Sequence, residues 1–222
     1  MSSPECIPSF EDIDIRDLSY QINDKVILQH VNFNLSKGDV LEIRGKSGAG
    51  KSTLANILAK RLPYDGQILI SGTELQQISK KAYNARMLYL PQKPLIIEST
   101  LLDNILMGMP YQAERMEQAL FCSLLQDVIE CMPDGLQTLV SAKSLSSGET
   151  QRVCLCRAVY HARDILIFDE MLSAVDSDAK REIAARLCKF SKETNRIMIC
   201  ISHDEFFHEY ATQTLNLKKV IV

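Results

Sequence analysis

One short stretch constrains this chain more than any other. Residues 45–53 are GKSGAGKST and match the pattern G-x-x-x-x-G-K-[ST]. The flanking sequence agrees with it, because residues 39–44 are typical of a short buried strand and residues 52–61 of a helix. Glycines let such a loop turn its backbone N–H groups towards one anion, and the helix adds its positive end. The stretch therefore predicts a phosphate-binding loop.

The side chains of this loop have separate expected roles. Lys51 would supply a cation for the β- and γ-phosphates of a nucleotide, and the Ser52 hydroxyl would be a ligand for Mg²⁺. The backbone N–H groups would bind the remaining phosphate oxygens. The nucleotide-binding positions predicted in this loop are Gly45, Ser47, Gly48, Ala49, Gly50, Lys51, Ser52 and Thr53.

Composition narrows the class of protein. The 222 residues are 46% hydrophobic, which is enough for a packed core in one large domain. The net charge is −3, and no basic stripe balances the phosphates of a nucleic acid, so we expect no nucleic-acid partner. The seven cysteines form no C-x-x-C pair, and we expect them to be reduced thiols in a cytosolic compartment.

The sequence also bears on membranes. Its start has no charged segment followed by an apolar run, so we expect no secretion signal. The most apolar runs are strand-sized, far shorter than the roughly 18 residues of a membrane helix. We therefore expect any membrane role to depend on a partner or on a part of a longer chain that lies outside these residues.

Hydrophobic patterns predict two kinds of strand. Residues 11–22 and 30–35 alternate apolar and polar side chains, with a slip near Asp17, and are expected to be antiparallel. Residues 165–168 and 196–201 are continuous apolar runs, which is typical of parallel strands buried on both faces. The chain should therefore contain a mixed sheet together with an antiparallel β subdomain.

The middle of the chain has a helical pattern. Apolar side chains recur every three or four residues over 113–132, and a second helix is predicted over 146–161, with Ser146 or Ser147 as its N-cap. We predict an α/β fold with a P-loop NTPase core and an inserted α-helical subdomain. The predicted units are a single domain over residues 1–222, its core from 1–92 and 164–222, and the helical insert over about 93–163.

Polar side chains follow the predicted strands at the point where each strand ends. Asp169 and Glu170 come after the run ILIF, His203 follows MICI, and Gln92 follows the strand at 87–90. The carboxyl ends of parallel strands meet at the edge of the sheet where ligands bind. We therefore expect these side chains to lie near the phosphate loop.

Each of these side chains has an expected role. Asp169 would hold Mg²⁺ beside Ser52, directly or through water. Glu170 would orient and polarise the attacking water. His203 would hydrogen-bond the γ-phosphate, and the Gln92 amide would reach Mg²⁺ or the water and sense the γ-phosphate. The predicted metal ligands are thus Ser52, Gln92 and Asp169, and the predicted catalytic residues are Glu170, His203 and Gln92.

A further motif makes a family resemblance plain. Residues 145–152 are LSSGETQR and resemble the signature loop of the ATP-binding cassette (ABC) ATPases. The resemblance covers nearly the whole chain and implies hydrolysis of ATP with Mg²⁺. Its motifs are the phosphate loop at 45–53, a Q-loop at Gln92, the signature at 145–149, Asp169 and Glu170, a D-loop at 173–176 and a switch histidine at His203.

The resemblance implies a head-to-tail dimer around two ATP molecules. The signature loop of one copy would cap the γ-phosphate of ATP held by the other, Asp176 would cross the interface, and Tyr20 would stack on adenine. The residues assigned to the cap are Ser146, Ser147, Gly148 and Glu149. Ser147 stands where the family usually has glycine and Glu149 where glutamine is commoner, so a weaker cap is expected.

Two further segments resemble exporter-type cassettes. Residues 92–105 and 132–138 carry this likeness, which implies a transmembrane domain, fused upstream, and a place on the cytoplasmic side of a membrane. Two alternatives stay open. One is a soluble ABC ATPase of an assembly complex, such as the cluster-assembly type, and the other is a nucleotide-gated binding module with negligible turnover.

Overall fold

The computed structural model describes residues 9–202 and 206–220, so His203 lies outside the described residues. The strands are β1 Asp12–Ile22, β2 Lys25–Ser36, β3 Val40–Arg44, β4 Asp65–Ile70, β5 Thr73–Glu74, β6 Met87–Leu90, β7 Ser99–Thr100, β8 Leu139–Val140, β9 Ile165–Asp169, β10 Ile197–Ile201 and β11 Gln213–Asn216. The α-helices are α1 Lys51–Leu58, α2 Lys80–Arg86, α3 Leu101–Leu106, α4 Ala113–Ser123, α5 Gln126–Glu130, α6 Ser147–His161 and α7 Ser177–Glu193.

The early strands form an antiparallel sheet in the order β2-β1-β4-β5. Asn23 and Asp24 join β1 to β2 with φ angles of 46° and 62°, as a two-residue type I′ hairpin turn requires. The register shifts between Ile15 and Leu18, where Asp17 has a φ of 54°. The predicted slip near Asp17 is therefore confirmed as an irregularity of β1.

The later strands form a second sheet in the order β11-β3-β10-β9-β6, and all of its described pairings are parallel. Every residue of β9 and β10 is buried, because helices cover both faces. The predicted α/β fold is confirmed. Among the described pairings, the five-stranded sheet is entirely parallel, and antiparallel pairing occurs in the four-stranded sheet and in the small β7–β8 sheet. The carboxyl ends of β3, β6, β9 and β10 lie at one edge of the parallel sheet.

Two apolar clusters pack against the parallel sheet. Successive residues of β9 contribute to different clusters, since side chains alternate across a strand. Ile165 and Ile167 join the cluster that contains Leu54 of α1, whereas Leu166 and Phe168 join the cluster that contains much of α6. The phosphate-loop helix and the signature helix therefore pack against opposite faces of one sheet.

The helical segment differs from its prediction in one place. The single helix predicted over 113–132 is wrong, because α4 ends at Ser123 and α5 begins at Gln126. Leu124 has a left-handed φ of 52°, and the turn that follows lets Leu125 be fully buried. The helix predicted over 146–161 is confirmed, with Ser146 as its N-cap. Within the described residues no helix combines the length and the hydropathy that crossing a bilayer would require.

Candidate active site

The loop between β3 and α1 has backbone angles that only glycine adopts easily. Gly50 is the N-cap of α1 with a φ of 92°, and a Cβ there would lie 2.6 Å from Leu28 Cδ2. Gly45 has a φ of 153°, and a Cβ there would lie 2.6 Å from the carbonyl oxygen of Leu217. These positions exclude other residues by both conformation and space. The predicted loop is therefore held between β2 and the segment after β11.

Lys51 folds back over this loop. Its Nζ donates to the carbonyl oxygens of Gly45, at 2.7 Å, and Lys46, at 3.4 Å. Loss of solvent around the side chain lowers the pKa of Lys51, while the charges of Glu170 and Asp169 act in the opposite direction. The ammonium group thus lies at the loop that is predicted to bind phosphate. The carboxylates of Glu170 and Asp169 are close enough to raise its pKa.

Asp169 ends β9 next to the start of α1. The Ser52 hydroxyl donates to its Oδ1 at 3.3 Å, across 117 residues of sequence. Its Oδ2 accepts from the Tyr89 hydroxyl at 3.0 Å. Burial, followed by the charge of Asp169, raises the pKa of Tyr89, so this hydroxyl keeps its proton. A hydroxyl beside a carboxylate is a set of hard oxygen donors that suits Mg²⁺.

Glu170 follows in an unusual backbone conformation. Its φ is 52°, and its N–H donates to the carbonyl oxygen of Ile201 at 2.9 Å. Gln92, two residues after β6, donates from Nε2 to Glu170 Oε2 at 2.6 Å. A left-handed glutamate costs backbone free energy and is retained where the surroundings fix it, often at functional sites. The structure therefore brings together the predicted water-orienting and γ-phosphate-sensing side chains.

A small cavity borders Glu170. It has a volume of about 40 Å³ and is lined in part by Glu170, Ser173 and Ser202. That volume can hold a water molecule. Ser202 follows β10 at this same edge of the sheet, so the chain passes the cavity immediately before His203. The role expected of His203 itself stays a prediction.

Tyr20 lies on β1 beside the same loop. It is half-buried and packs against the apolar cluster that contains Leu28, its partner across the β1–β2 ladder. The Leu28 side chain in turn lies directly against Gly50, where it would touch any added Cβ. Tyr20 is thus one side chain away from the start of α1, and its predicted contact with adenine stays a prediction.

The signature residues form the start of α6. Ser146 Oγ accepts from the Glu149 N–H at 3.2 Å, and the Ser146 N–H donates to Glu149 Oε2 at 2.8 Å. This reciprocal pair is a capping box, which gives Glu149 a structural reason to be an acid. Ser147 is exposed, whereas a Cβ at Gly148 would lie 2.8 Å from the carbonyl oxygen of Ala174. The close approach of α6 to the Ala174 carbonyl therefore requires glycine at position 148. The exposed position 147 has room for serine.

The D-loop and α6 are joined by a side chain that was not predicted as a site residue. Gln151 is buried, donates from Nε2 to Ser173 Oγ at 2.9 Å and accepts from the Ala174 N–H at 2.9 Å. Asp176 then caps α7 by accepting from the Ala179 N–H at 3.0 Å, and this bond is the main cause of its lowered pKa. The signature helix and the D-loop are thus joined to each other, in a group of contacts separate from the one around the phosphate loop.

Sequence reasoning also missed Tyr89. Its signal was its place on β6, one residue before the strand ends and three before Gln92. The register of β6 on β9 was needed to bring it to Asp169, and that register cannot be obtained from a single strand.

Comparison with known proteins agrees with this geometry. Residues 28–173 match the family model described as ABC transporter. The chain is 32% identical over 197 residues to the ATP-dependent lipid A-core flippase of Burkholderia orbicola (strain AU 1054), covering 86% of this chain and 33% of that protein. It is 35% identical over 190 residues to the alpha-hemolysin translocation ATP-binding protein HlyB of Escherichia coli O157:H7, covering 83% and 26%.

A solved structure gives the same result. The structure of a bacterial Atm1-family ABC exporter with ATP bound has a TM-score of 0.86 and 26% identity, covering 96% of this chain and 39% of that one. The chain thus spans about a third of the length of the relatives it matches. The chain belongs to the ABC transporter family, within which it corresponds to the ATP-binding domain.

Proposed function

We propose that this chain is the ATP-hydrolysing domain of an ABC exporter, acting as a head-to-tail dimer on the cytoplasmic side of a membrane. The observation that carries the proposal is the contact of Ser52 with Asp169 at 3.3 Å. It joins the phosphate loop to the end of a buried strand, where both catalytic chemistry and metal binding are expected. Both relatives named above are transport proteins, which favours an exporter over the soluble assembly ATPase.

The proposed binding of ATP uses charge and backbone together. Lys51 and the N–H groups of residues 45–53 hold the phosphates, and Tyr20 stacks on the base. Ser52 and Asp169 hold Mg²⁺, with Gln92 as a third oxygen donor. When bound, the metal neutralises charge on the β- and γ-phosphate oxygens.

The proposed hydrolysis uses Glu170. Its carboxylate orients and polarises a water and, as general base, accepts a proton from it. The water oxygen forms the new bond to the γ-phosphorus as the bond to the β,γ-bridging oxygen breaks, which yields ADP and phosphate. Gln92 holds Glu170 by the 2.6 Å hydrogen bond described above. His203 is assigned to the γ-phosphate because its strand ends at the same edge of the sheet.

The proposed dimer supplies the remaining donors. The first N–H groups of α6, at Ser147 and Gly148, are at an exposed helix start and form an anion site for the ATP of the second copy. Ser146 and Glu149 shape that start through the capping box. Asp176 is the exposed N-cap of α7, two residues after Ala174, and would cross the interface. This arrangement requires two copies for each complete site.

The proposed membrane partner is supported by the surface of the helical insert, which we take as residues 93–163. Large apolar side chains are exposed there, with Leu139 at 76%, Leu95 at 69% and Phe121 at 55%. A contiguous apolar patch is typical of an interaction surface, and we propose that these side chains contribute to one. A transmembrane domain upstream in the full-length protein would support the exporter, and its absence there would favour the soluble alternative.

The central test is the change Glu170→Gln. We expect phosphate release from Mg²⁺-ATP to fall by roughly a hundredfold or more, because the general base is removed. ATP binding should persist, and the chain should elute as an ATP-dependent dimer in size-exclusion chromatography. Glu114→Gln, on the exposed first turn of α4, is the matched control and should keep the wild-type rate.

Two outcomes would contradict the proposal. Turnover by Glu170→Gln at the wild-type rate would remove Glu170 from the chemistry. A wild-type chain that binds ATP but releases no phosphate would instead support the nucleotide-gated binding module.

A further inference from the structure

Tyr89 reaches Asp169 because of the register between two parallel strands. Tyr89 of β6 lies opposite Ile167 of β9, and Asp169 is two residues further along β9. Residues two apart on a strand share a face, so Tyr89 and Asp169 both point towards the side of the sheet that α1 covers. The tyrosine side chain is long enough to span the diagonal, and its hydroxyl lies 3.0 Å from Asp169 Oδ2.

The two oxygens of Asp169 have different partners. Oδ1 accepts from Ser52, in the first turn of α1, and Oδ2 accepts from Tyr89, which lies on the sheet. Asp169 is 3% exposed, so these hydroxyls replace water as its hydrogen-bond partners. The ring of Tyr89 is itself held, since the guanidinium carbon of Arg61 lies 4.4 Å from its centre.

We propose that Tyr89 is a positioning residue for the metal site, holding Asp169 by Oδ2 so that Oδ1 stays directed at Ser52. This inference rests on the proposed function, in which Ser52 and Asp169 hold Mg²⁺. Tyr89 touches neither nucleotide nor metal in this scheme. Its loss would let the carboxylate rotate, and outer partners of this kind usually affect metal affinity by tenfold or more.

The test is Tyr89→Phe, which removes only the hydroxyl. The readout is the ratio of the ATP dissociation constant measured in EDTA to that measured in excess Mg²⁺, obtained by isothermal titration calorimetry. We expect ATP affinity in EDTA to stay within about twofold of wild type and the ratio to fall about tenfold. Binding of Mn²⁺ in the presence of a non-hydrolysable ATP analogue, followed by electron paramagnetic resonance, should weaken by the same factor.

Tyr64→Phe is the matched control. Tyr64 is also half-buried and also donates its hydroxyl to a carboxylate, Glu74 Oε1, at 2.6 Å. It lies away from Asp169 on the segment that leads into β4, so its loss should leave the Mg²⁺ ratio unchanged. A second comparison places Tyr89→Phe in a chain that carries Asp169→Asn, where it should cause no further loss of metal affinity.

Three results would overturn the inference. The first is an unchanged Mg²⁺ ratio in Tyr89→Phe, the second is an equal loss in Tyr64→Phe, and the third is a full additional loss in the Asp169→Asn background. A wild-type chain that fails to bind ATP at all would instead refute the proposed function, so the two failures are distinguishable.

Discussion

Asp169 and Glu170 are neighbours in sequence that the structure holds in different ways. Asp169 is the last residue of a fully buried strand, and both of its oxygens are hydrogen-bonded. Glu170 has a left-handed backbone, which turns its side chain to a different partner, Gln92. One change of φ thus separates a carboxylate suited to a metal from one suited to a water.

Lys51 gives a prediction at the same scale. Lys51→Ala should weaken ATP binding by roughly tenfold or more, since a charge-assisted hydrogen bond contributes about 1.5–3 kcal/mol. Fluorescent-nucleotide titration measures this affinity. Lys46→Ala is the control, because Lys46 is an exposed lysine of the same loop that offers its carbonyl to Lys51. Normal ATP affinity in Lys51→Ala would show that the loop does not bind phosphate as proposed.

At the scale of elements, α6 connects the parts of the site. At its start Gln151 holds the D-loop through Ser173 and Ala174. Two turns later Arg157 donates to the carbonyl oxygens of Leu95, at 3.0 Å, and Asn104, at 2.6 Å. The segment after Gln92 and the segment after Glu170 are therefore both fastened to one helix. A movement of α6 would reach both catalytic side chains.

Gln151 gives the prediction for this element. Gln151→Leu keeps the volume but leaves the Ala174 N–H without its partner, so the free energy of unfolding should fall by about 1–3 kcal/mol. Turnover should fall as well, because the D-loop loses its anchor, while ATP affinity should not change. Urea denaturation and phosphate release measure these effects.

The control for that change is Gln126→Leu. Gln126 is exposed and bonds only the neighbouring turn through Glu130 in the described contacts, so its replacement should alter stability by less than about 0.5 kcal/mol. Equal effects of the two leucine variants would remove the special role of Gln151.

At the scale of the whole molecule, the phosphate loop and the signature loop pack against opposite faces of the parallel sheet. A site made from both therefore requires a second copy, as the proposed head-to-tail dimer supplies. Mixing two defective chains tests this directly. Lys51→Ala removes the cation of the phosphate loop. Ser147→Asp places a negative charge where the cap would meet phosphate. An acid at a helix start favours the helix, so this second change should leave α6 folded.

Each of these variants alone should be nearly inactive. In a mixed dimer one site combines the intact loop of the Ser147→Asp copy with the intact signature of the Lys51→Ala copy, so mixing should restore part of the ATPase rate. Phosphate release as a function of mixing ratio measures the recovery. If no ratio restores activity above that of the separate variants, the sites are not shared between copies.

The sequence predicted the parts of the site that depend on local pattern. An apolar run before Asp169, and a glycine-rich turn before Lys51, suffice because strand and loop chemistry are local. Tyr89 could not be predicted, since only the register of β6 on β9 brings it to Asp169. The break between α4 and α5 at Leu124 could not be predicted either. It depends on the tertiary burial of Leu125, and leucine has no intrinsic preference for a left-handed φ.

The carbonyl oxygen of Leu217 lies against Gly45, at the opposite end of the sequence. The Leu217 N–H also donates to the Arg44 carbonyl oxygen at 2.8 Å. During synthesis, the first residues of the phosphate loop are therefore made long before the backbone that supports them. The phosphate loop of the growing polypeptide gains this backbone support only after residue 217 has been added, so premature termination upstream would leave translation products that capture ATP poorly.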